Sequence, residues 1–167
     1  MVQQVFTTQQ VLALQRVTTY QELADIALSQ LGVMNEGSSN RPGIICGPIS
    51  NGGLGSKELN ITHFELVVNH FVAAKHGNFF SQIPFEEALW RVQGLLASAD
   101  PTVHPKGAGN PLLEGFYRPL FESGLIGSML FIKDWESSDG ARWEHELGIE
   151  LGLSVGYLND KLVVTDR

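Results

Sequence analysis

The chain is short of cysteine, of charge, and above all of positive charge. Its single cysteine, Cys46, excludes an internal disulfide. That residue ends an apolar run, "IIC", which suits a small buried hydrophobe in a reducing cytoplasm. A thiol nucleophile is the other reading, but no histidine stands near it in the chain. With 11 basic against 18 acidic residues the net charge is −7, which argues against a nucleic-acid partner, since wrapping one needs a basic stripe. A small phosphorylated molecule remains compatible, because a helix terminus can hold it locally. No apolar run approaches the roughly 18 residues of a membrane span, so no membrane partner is expected. The start, "MVQQVFTTQQ", lacks the basic segment and apolar core of a secretion signal, and the expected location is cytoplasmic. His63 and His70 lie two turns apart on an expected helix, and no His-x-x-x-His occurs, so neither a metal nor another cofactor is expected. A Walker loop, a dinucleotide fingerprint, repeats and low-complexity segments are all missing.

What is present is a soluble, core-forming chain: 167 residues, 43% of them hydrophobic, enough for one domain with an extension. Residues 1–40 read as an N-terminal helical extension, packed on the domain or on a partner subunit. Within them "TTYQELADIALSQLG" carries a Thr19-x-x-Glu22 capping box, an apolar face of Leu23, Ile26, Ala27 and Leu31, and a natural stop at Gly32. "NEGSSNRPG" follows as linker. Residues 41–167 then alternate. "GIICG" reads as a strand and "PISNGGLGS" as a loop. The helix "KELNITHFELVVNHFVAAKHG" has a buried face of Ile61, Phe64, Val67, Val68 and Phe71. "NFFSQIP" reads as a second strand ending at Pro84, "FEEALWRVQGLLASAD" as a helix, and "PTVHPKGAGNP" as a loop. "LLEGFYRPLFESG" is helical with a break around Pro119; "SMLFIKD", "GARWEHELGIELG" and "SVGYL" complete the rhythm as strand, helix and strand. Such alternation specifies an α/β fold with a mainly parallel sheet covered on both faces. Ligands of such sheets sit beyond the carboxyl ends of the strands, which brings two loops to one mouth, Gly47–Ser56 and Asp134–Gly140.

Both loops carry candidate chemistry. In the first, Gly52, Gly53 and Gly55 would let backbone N–H groups approach a phosphate or sugar, though an ordinary strand-to-helix turn has the same composition. In the second, Ser138 or Asp139 caps a helix beginning at Gly140, and Ser137, Ser138 and Arg142 are phosphate-sized donors. Glu144 lies one turn further on, on the face of Ala141 and Gly148, whose small side chains would leave room for a ligand. Two readings stand for it: an acid placed near a helix start, or a nucleophile held as an anion by the helix dipole. Glu146 and Glu150 fall off that face and read as solvated, and His145 points away from Glu144.

"ICGPISNGG" followed by a helix, with "FIKDWESSDGARWEHELG" near the end, resembles the nucleoside 2-deoxyribosyltransferase superfamily, which includes nucleoside 5′-monophosphate N-glycosidases and an uncharacterised phage and bacterial branch. The late signature, Ser, Gly two residues on and Glu four beyond, falls on Ser138, Gly140 and Glu144. The early one falls on Gly47, Pro48 and Ile49. Trp135 to Glu144 also follows the branch pattern Trp-Glu-x-Ser-x-Gly-Ala-x-x-Glu. The resemblance covers about residues 43–157. It implies a flavodoxin-like three-layer sandwich and cleavage or transfer at the N-glycosidic bond of a (deoxy)nucleoside or nucleoside 5′-monophosphate. Glu144 would attack the anomeric carbon, giving a glycosyl-enzyme that water or an acceptor base resolves. Ser138, Gly140 and Arg142 at the helix start would hold a 5′-hydroxyl or 5′-phosphate, the Ser-Ser-Asp-Gly-Ala-Arg stretch slightly favouring the phosphate. Gly47, Pro48, Ile49, Ser50 and Gly52 would pack on sugar and base. Asp134 is a candidate for a sugar contact or for protonating the leaving base, with loop capping as the alternative. Many members carry an Asp where this chain has Gly127-Ser128; Asn60 could compensate from the long helix, or be an exposed polar position. Tyr117 and Arg118 could close over the mouth, or serve core and surface. The family's habit implies a homodimer or higher homo-oligomer. A non-catalytic nucleotide-binding or sensing module on the same fold is the alternative function.

Overall fold

A computed structural model of the protein describes residues 5–36, 38–73, 78–100 and 109–165. Among these it places six α-helices around a five-stranded sheet. The helices are α1 (Thr8–Arg16), α2 (Tyr20–Asn35), α3 (Lys57–Ala73), α4 (Glu86–Ala99), α5 (Arg118–Glu122) and α6 (Asp139–Glu150). The strands are β1 (Gly43–Cys46), β2 (Phe79–Phe80), β3 (Ser128–Phe131), β4 (Ser154–Leu158) and β5 (Val164–Thr165), in spatial order β2-β1-β3-β4-β5. The first four run parallel, with Ile44 opposite Met129 and Met129 opposite Val155, while β5 joins β4 antiparallel.

The central strands are continuously apolar because both their faces are covered. Ile44 and Cys46 of β1, with Met129 and Phe131 of β3, belong to one core cluster, which also holds side chains from α2, α4, α5 and α6. The intervening Ile45 and Leu130, with Ile132 just beyond β3, belong to a second cluster under Phe64, Val67, Val68 and Phe71 of α3. One residue of register thus separates the two helical layers.

Helix α2, within the expected N-terminal extension, packs into the core of the domain. Leu23, Ala24, Ala27 and Leu31 of α2 are fully buried in the main cluster. The Thr19–Glu22 capping box forms as expected. Helix α2 does not stop at Gly32 but continues to Asn35, because burial of Met34 outweighs the roughly 1 kcal/mol that an internal glycine costs.

Three other elements differ from the sequence expectation. Strand β2 ends at Phe80, and Ile83–Phe85 form a 3₁₀ turn with Pro84 near its start. The pairing there passes to a side chain: Gln82 Nε2 donates to the Ile45 carbonyl at 3.1 Å. Pro119 does not break its helix. Just before it, Leu113–Tyr117 widen into a π-helical turn in which Arg118 N–H bonds to the Leu113 carbonyl, and α5 continues with Pro119 in its first turn. The wider turn accommodates a proline ring that would otherwise press on the carbonyl four residues back. Lastly, β5 was not anticipated; two residues are too short for a period to register. The end expected for α3 at 74–77 lies outside the described residues, as does most of the Pro/Gly loop expected at 101–111.

Candidate active site

The strand order reverses between β1 and β3, and their carboxyl ends diverge into the two loops singled out above. Such a switch point is where doubly wound sheets bind ligands. A cavity of about 750 Å³ opens there, walled by four segments. The first loop contributes Gly47, Ile49, Ser50 and Asn51; α4 contributes Glu86, Leu89, Trp90 and Gln93; Leu113 and Tyr117 come from the π turn; and the α6 side runs from Ser138 through Glu144 to Glu146.

Each loop is held by local chemistry. Asn60, buried on α3, donates from Nδ2 to the carbonyls of Ile49 (3.2 Å) and Gly52 (3.1 Å), and its Oδ1 accepts from Leu54 N–H at 2.8 Å. It is neither an exposed polar residue nor a lining one, but the internal brace of the first loop. The two loops are tied together where Gly53 N–H donates to Ser137 Oγ at 2.8 Å. At Gly52 the backbone is left-handed (φ 71°), and a β-carbon would fall 2.5 Å from the Ser137 carbonyl oxygen, so this junction requires glycine.

Of the residues expected in the site, Gly47, Ile49, Ser50, Ser138, Gly140, Arg142 and Glu144 meet around the cavity. Pro48, Gly52, Asn60 and Asp134 do not line it. Asp134 is exposed, adopts a left-handed backbone (φ 61°), and accepts at its carbonyl from Ser137 N–H and Oγ. It shapes the second loop and does not face the cavity. Gly148 also lies outside the wall: a β-carbon there would meet Met129 Sδ at 2.4 Å. Its smallness lets α6 lie close on β3 and makes no room for a ligand.

The donors counted as phosphate ligands have internal partners. Ser138 is the buried N-cap of α6, its Oγ accepting from Ala141 N–H. Ser137 Oγ donates to the Asp134 carbonyl at 2.6 Å. Arg142 reaches the Glu136 carbonyl and the Asp139 carboxylate. Around it the wall carries the carboxyl groups of Glu86, Asp139, Glu144 and Glu146.

Glu144 is 5% exposed, beside the buried Cys46 thiol at the end of β1. Burial pushes its carboxyl up to about 8, opposed by a hydrogen bond with Cys46. Burial likewise raises the Cys46 thiol well above its ordinary value, and the neighbouring Glu144 adds to it; such a thiol is a poor nucleophile. Burial thus favours the protonated form of Glu144, against the expectation that the helix dipole would favour its anion. It stands beyond the first turn, where the dipole has faded, and desolvation dominates.

Sequence reasoning did not single out Glu86, Trp90 or Trp143 and underweighted Tyr117. Tyr117 is 5% exposed and, through its electrostatics, senses both Glu86 and Glu144. Arg118 pairs instead with Glu114 and Glu122 along its own helical segment. Glu86 Oε2 accepts the Trp90 indole N–H at 3.0 Å, and Lys57 Nζ lies 3.7 Å from the Trp90 ring centroid. Burial raises the Glu86 carboxyl, against the opposing effects of Trp90 and Lys57. The Glu86–Trp90 spacing of one helical turn was visible in "EEALW", but nothing in it marked a cavity wall. Trp143 also lines the cavity.

On the far face of α6, His145 stacks on Trp135 (4.4 Å between ring centroids), and its Nε2 lies 2.7 Å from Tyr157 Oη. His145 thus packs away from Glu144, as expected. Among the described residues, no group of three or more His, Cys, Asp or Glu is placed to hold a metal ion, and no helix is long and apolar enough to cross a membrane. No protein-family model, curated protein or solved structure matches the chain.

Proposed function

We propose that the protein cleaves, or transfers at, the N-glycosidic bond of a nucleoside, through a covalent glycosyl intermediate on Glu144. The observation that carries this reading is a buried carboxyl, Glu144, on the wall of a nucleoside-sized cavity at the β1–β3 switch point. The β2-β1-β3-β4-β5 order is that of a flavodoxin-like sheet with its last strand reversed, and the sequence motif around Glu144 points to the same chemistry. Attack at the anomeric carbon splits one displacement into two easier ones. The internally partnered Ser137, Ser138 and Arg142 favour a free nucleoside over a 5′-monophosphate.

A second reading, a nucleotide-binding or sensing module without turnover, draws on the protonated state of Glu144. A neutral carboxyl donates and accepts hydrogen bonds well, whereas a nucleophile must first lose its proton.

Base release from a panel of ribo- and deoxynucleosides and their 5′-monophosphates separates the two. The expected result is release from nucleosides by the wild type, lost in Glu144→Gln while binding persists. Binding without release by the wild type selects the sensing module. Neither binding nor release removes both.

A further inference from the structure

Displacing a nucleobase requires more than a nucleophile. The electron pair of the C1′–N bond ends on the base, and an unactivated base leaves poorly unless a proton reaches it. Asp134, a candidate for that proton or for a sugar contact, is exposed and outside the cavity wall. The wall itself holds four carboxylates, of which Asp139 and Glu146 are exposed, Asp139 being paired with Arg142. Glu86 remains. It projects from α4, a different element from the one carrying Glu144, and both carboxyls line the same cavity. The Trp90 indole, itself part of the wall, donates to one of its oxygens. That bond fixes the rotamer of a half-buried side chain one turn back along the helix. Lys57, lying over the same indole, is placed to compensate the negative charge Glu86 acquires when it gives up a proton.

We propose that Glu86 is the proton donor to the departing base, acting together with Glu144; the assignment rests on the N-glycosidic reading above. In the first step, starting from the form in which Glu144 has released its proton to solvent and Glu86 keeps one, the C1′–N bond breaks as a Glu144 carboxylate oxygen bonds to C1′. The base takes the Glu86 proton and leaves neutral, and Glu86 becomes a carboxylate. In the second step water attacks C1′ and the Glu86 carboxylate accepts its proton. The sugar is freed, and Glu144 returns as a carboxylate. Each group ends as it began.

The test compares leaving groups. Guanosine and uridine need the proton; 7-methylguanosine leaves as a neutral base without one, and 5-fluorouridine leaves more readily as an anion. Each is assayed in ribo and deoxy form with wild type and Glu86→Gln, a variant that keeps the size of the side chain and an oxygen for Trp90. The expected result is a loss in kcat/KM of roughly 10²-fold or more on the unactivated substrates, shrinking to less than about tenfold on their activated counterparts. Equal losses on both kinds make Glu86 a binding or structural residue and overturn the proposal, as does an unimpaired variant. A thermal melt identifies a folding failure, in which case Glu86→Asp, which retains the acid, must recover the unactivated substrates ahead of Glu86→Ala; failure to do so also overturns it. Base release by the wild type from none of the substrates, activated ones included, would remove the N-glycosidic reading itself, a result distinct from any failure of Glu86.

Discussion

Two glutamates near helix starts, Glu22 on α2 and Glu144 on α6, are displaced in opposite directions. Glu22 is exposed and accepts the backbone N–H groups of Thr18 and Thr19 and the Thr19 hydroxyl. Those bonds hold its carboxyl below its ordinary value. Glu144, buried and with a thiol as its hydrogen-bonding partner, is pushed from 4.5 to about 8. That rise corresponds to roughly 5 kcal/mol, whereas a helix dipole contributes at most about 1–2 kcal/mol and only near the terminus. An acid near a helix start therefore does not reveal its charge. Solvent access decides it, and the two ends differ because one lies on the surface and the other under the mouth of the sheet.

The contrast breaks most visibly in turnover. Removing the nucleophile in Glu144→Gln should lower base release by at least about 10³-fold, whereas Glu22→Gln, which preserves a capping box, should leave it unchanged. With Glu144 as nucleophile, kcat/KM of the wild type on 7-methylguanosine, which needs no acid, rises as pH passes upward through about 8. A rate that falls through that range would rule out Glu144 as the nucleophile.

Stability should separate the two residues next. The folded-state value for Glu144 lies above its unfolded one, so between about 4.5 and about 8 the folded protein holds a proton that the unfolded chain gives up. Its contribution is fully present below that window and is lost as pH rises through it. Glu144→Gln escapes this loss and should melt higher than wild type above pH 8, by up to a few kcal/mol, with the gap closing toward pH 4.5. Melting curves across that range that run parallel for the two proteins would contradict the buried, protonated Glu144.

Asn60→Ala should cost about 2–3 kcal/mol, because three hydrogen bonds to the first loop go together. It should also weaken nucleoside binding although Asn60 does not line the cavity. Chemical denaturation and a binding isotherm on the same variant check both. Glu22→Ala is expected to have the smallest effect, a loss of stability at neutral pH from the broken capping box. With a depressed folded-state value, the charge-dependent part is present above the unfolded value near 4.5 and disappears as pH falls through the folded one. Melting scans of the pair at neutral and acid pH measure it.

Much of the fold was legible because it rests on local chemistry. The capping box at Thr19 and the turn residues after β1 and β3 act within a few positions of one another. The apolar runs "GIIC" and "SMLF" declared strands buried on both faces. Where local signals failed, a distant partner had intervened. Met34 carried α2 past Gly32, Gln82 ended β2 by bonding to Ile45, and the π turn absorbed Pro119. The site divides in the same way. Glu144 and the two loops stood out through spacing and composition. Glu86, Trp90 and Tyr117 reach the cavity from α4 and the π turn, elements that only packing brings opposite α6. Gly148 shows the reverse error: its helical face was read correctly, but that face meets Met129 and not a ligand.

By itself, then, the sequence determined the alternation of strand and helix, the two loops at one mouth and the carboxyl worth attention, because period, capping and turn chemistry are short-range properties of neighbouring residues. Only the tertiary structure decided that burial raises the Glu144 carboxyl and that a second carboxyl lies on the same cavity wall. Those facts depend on desolvation and on contacts between segments far apart in the chain, which no local pattern encodes.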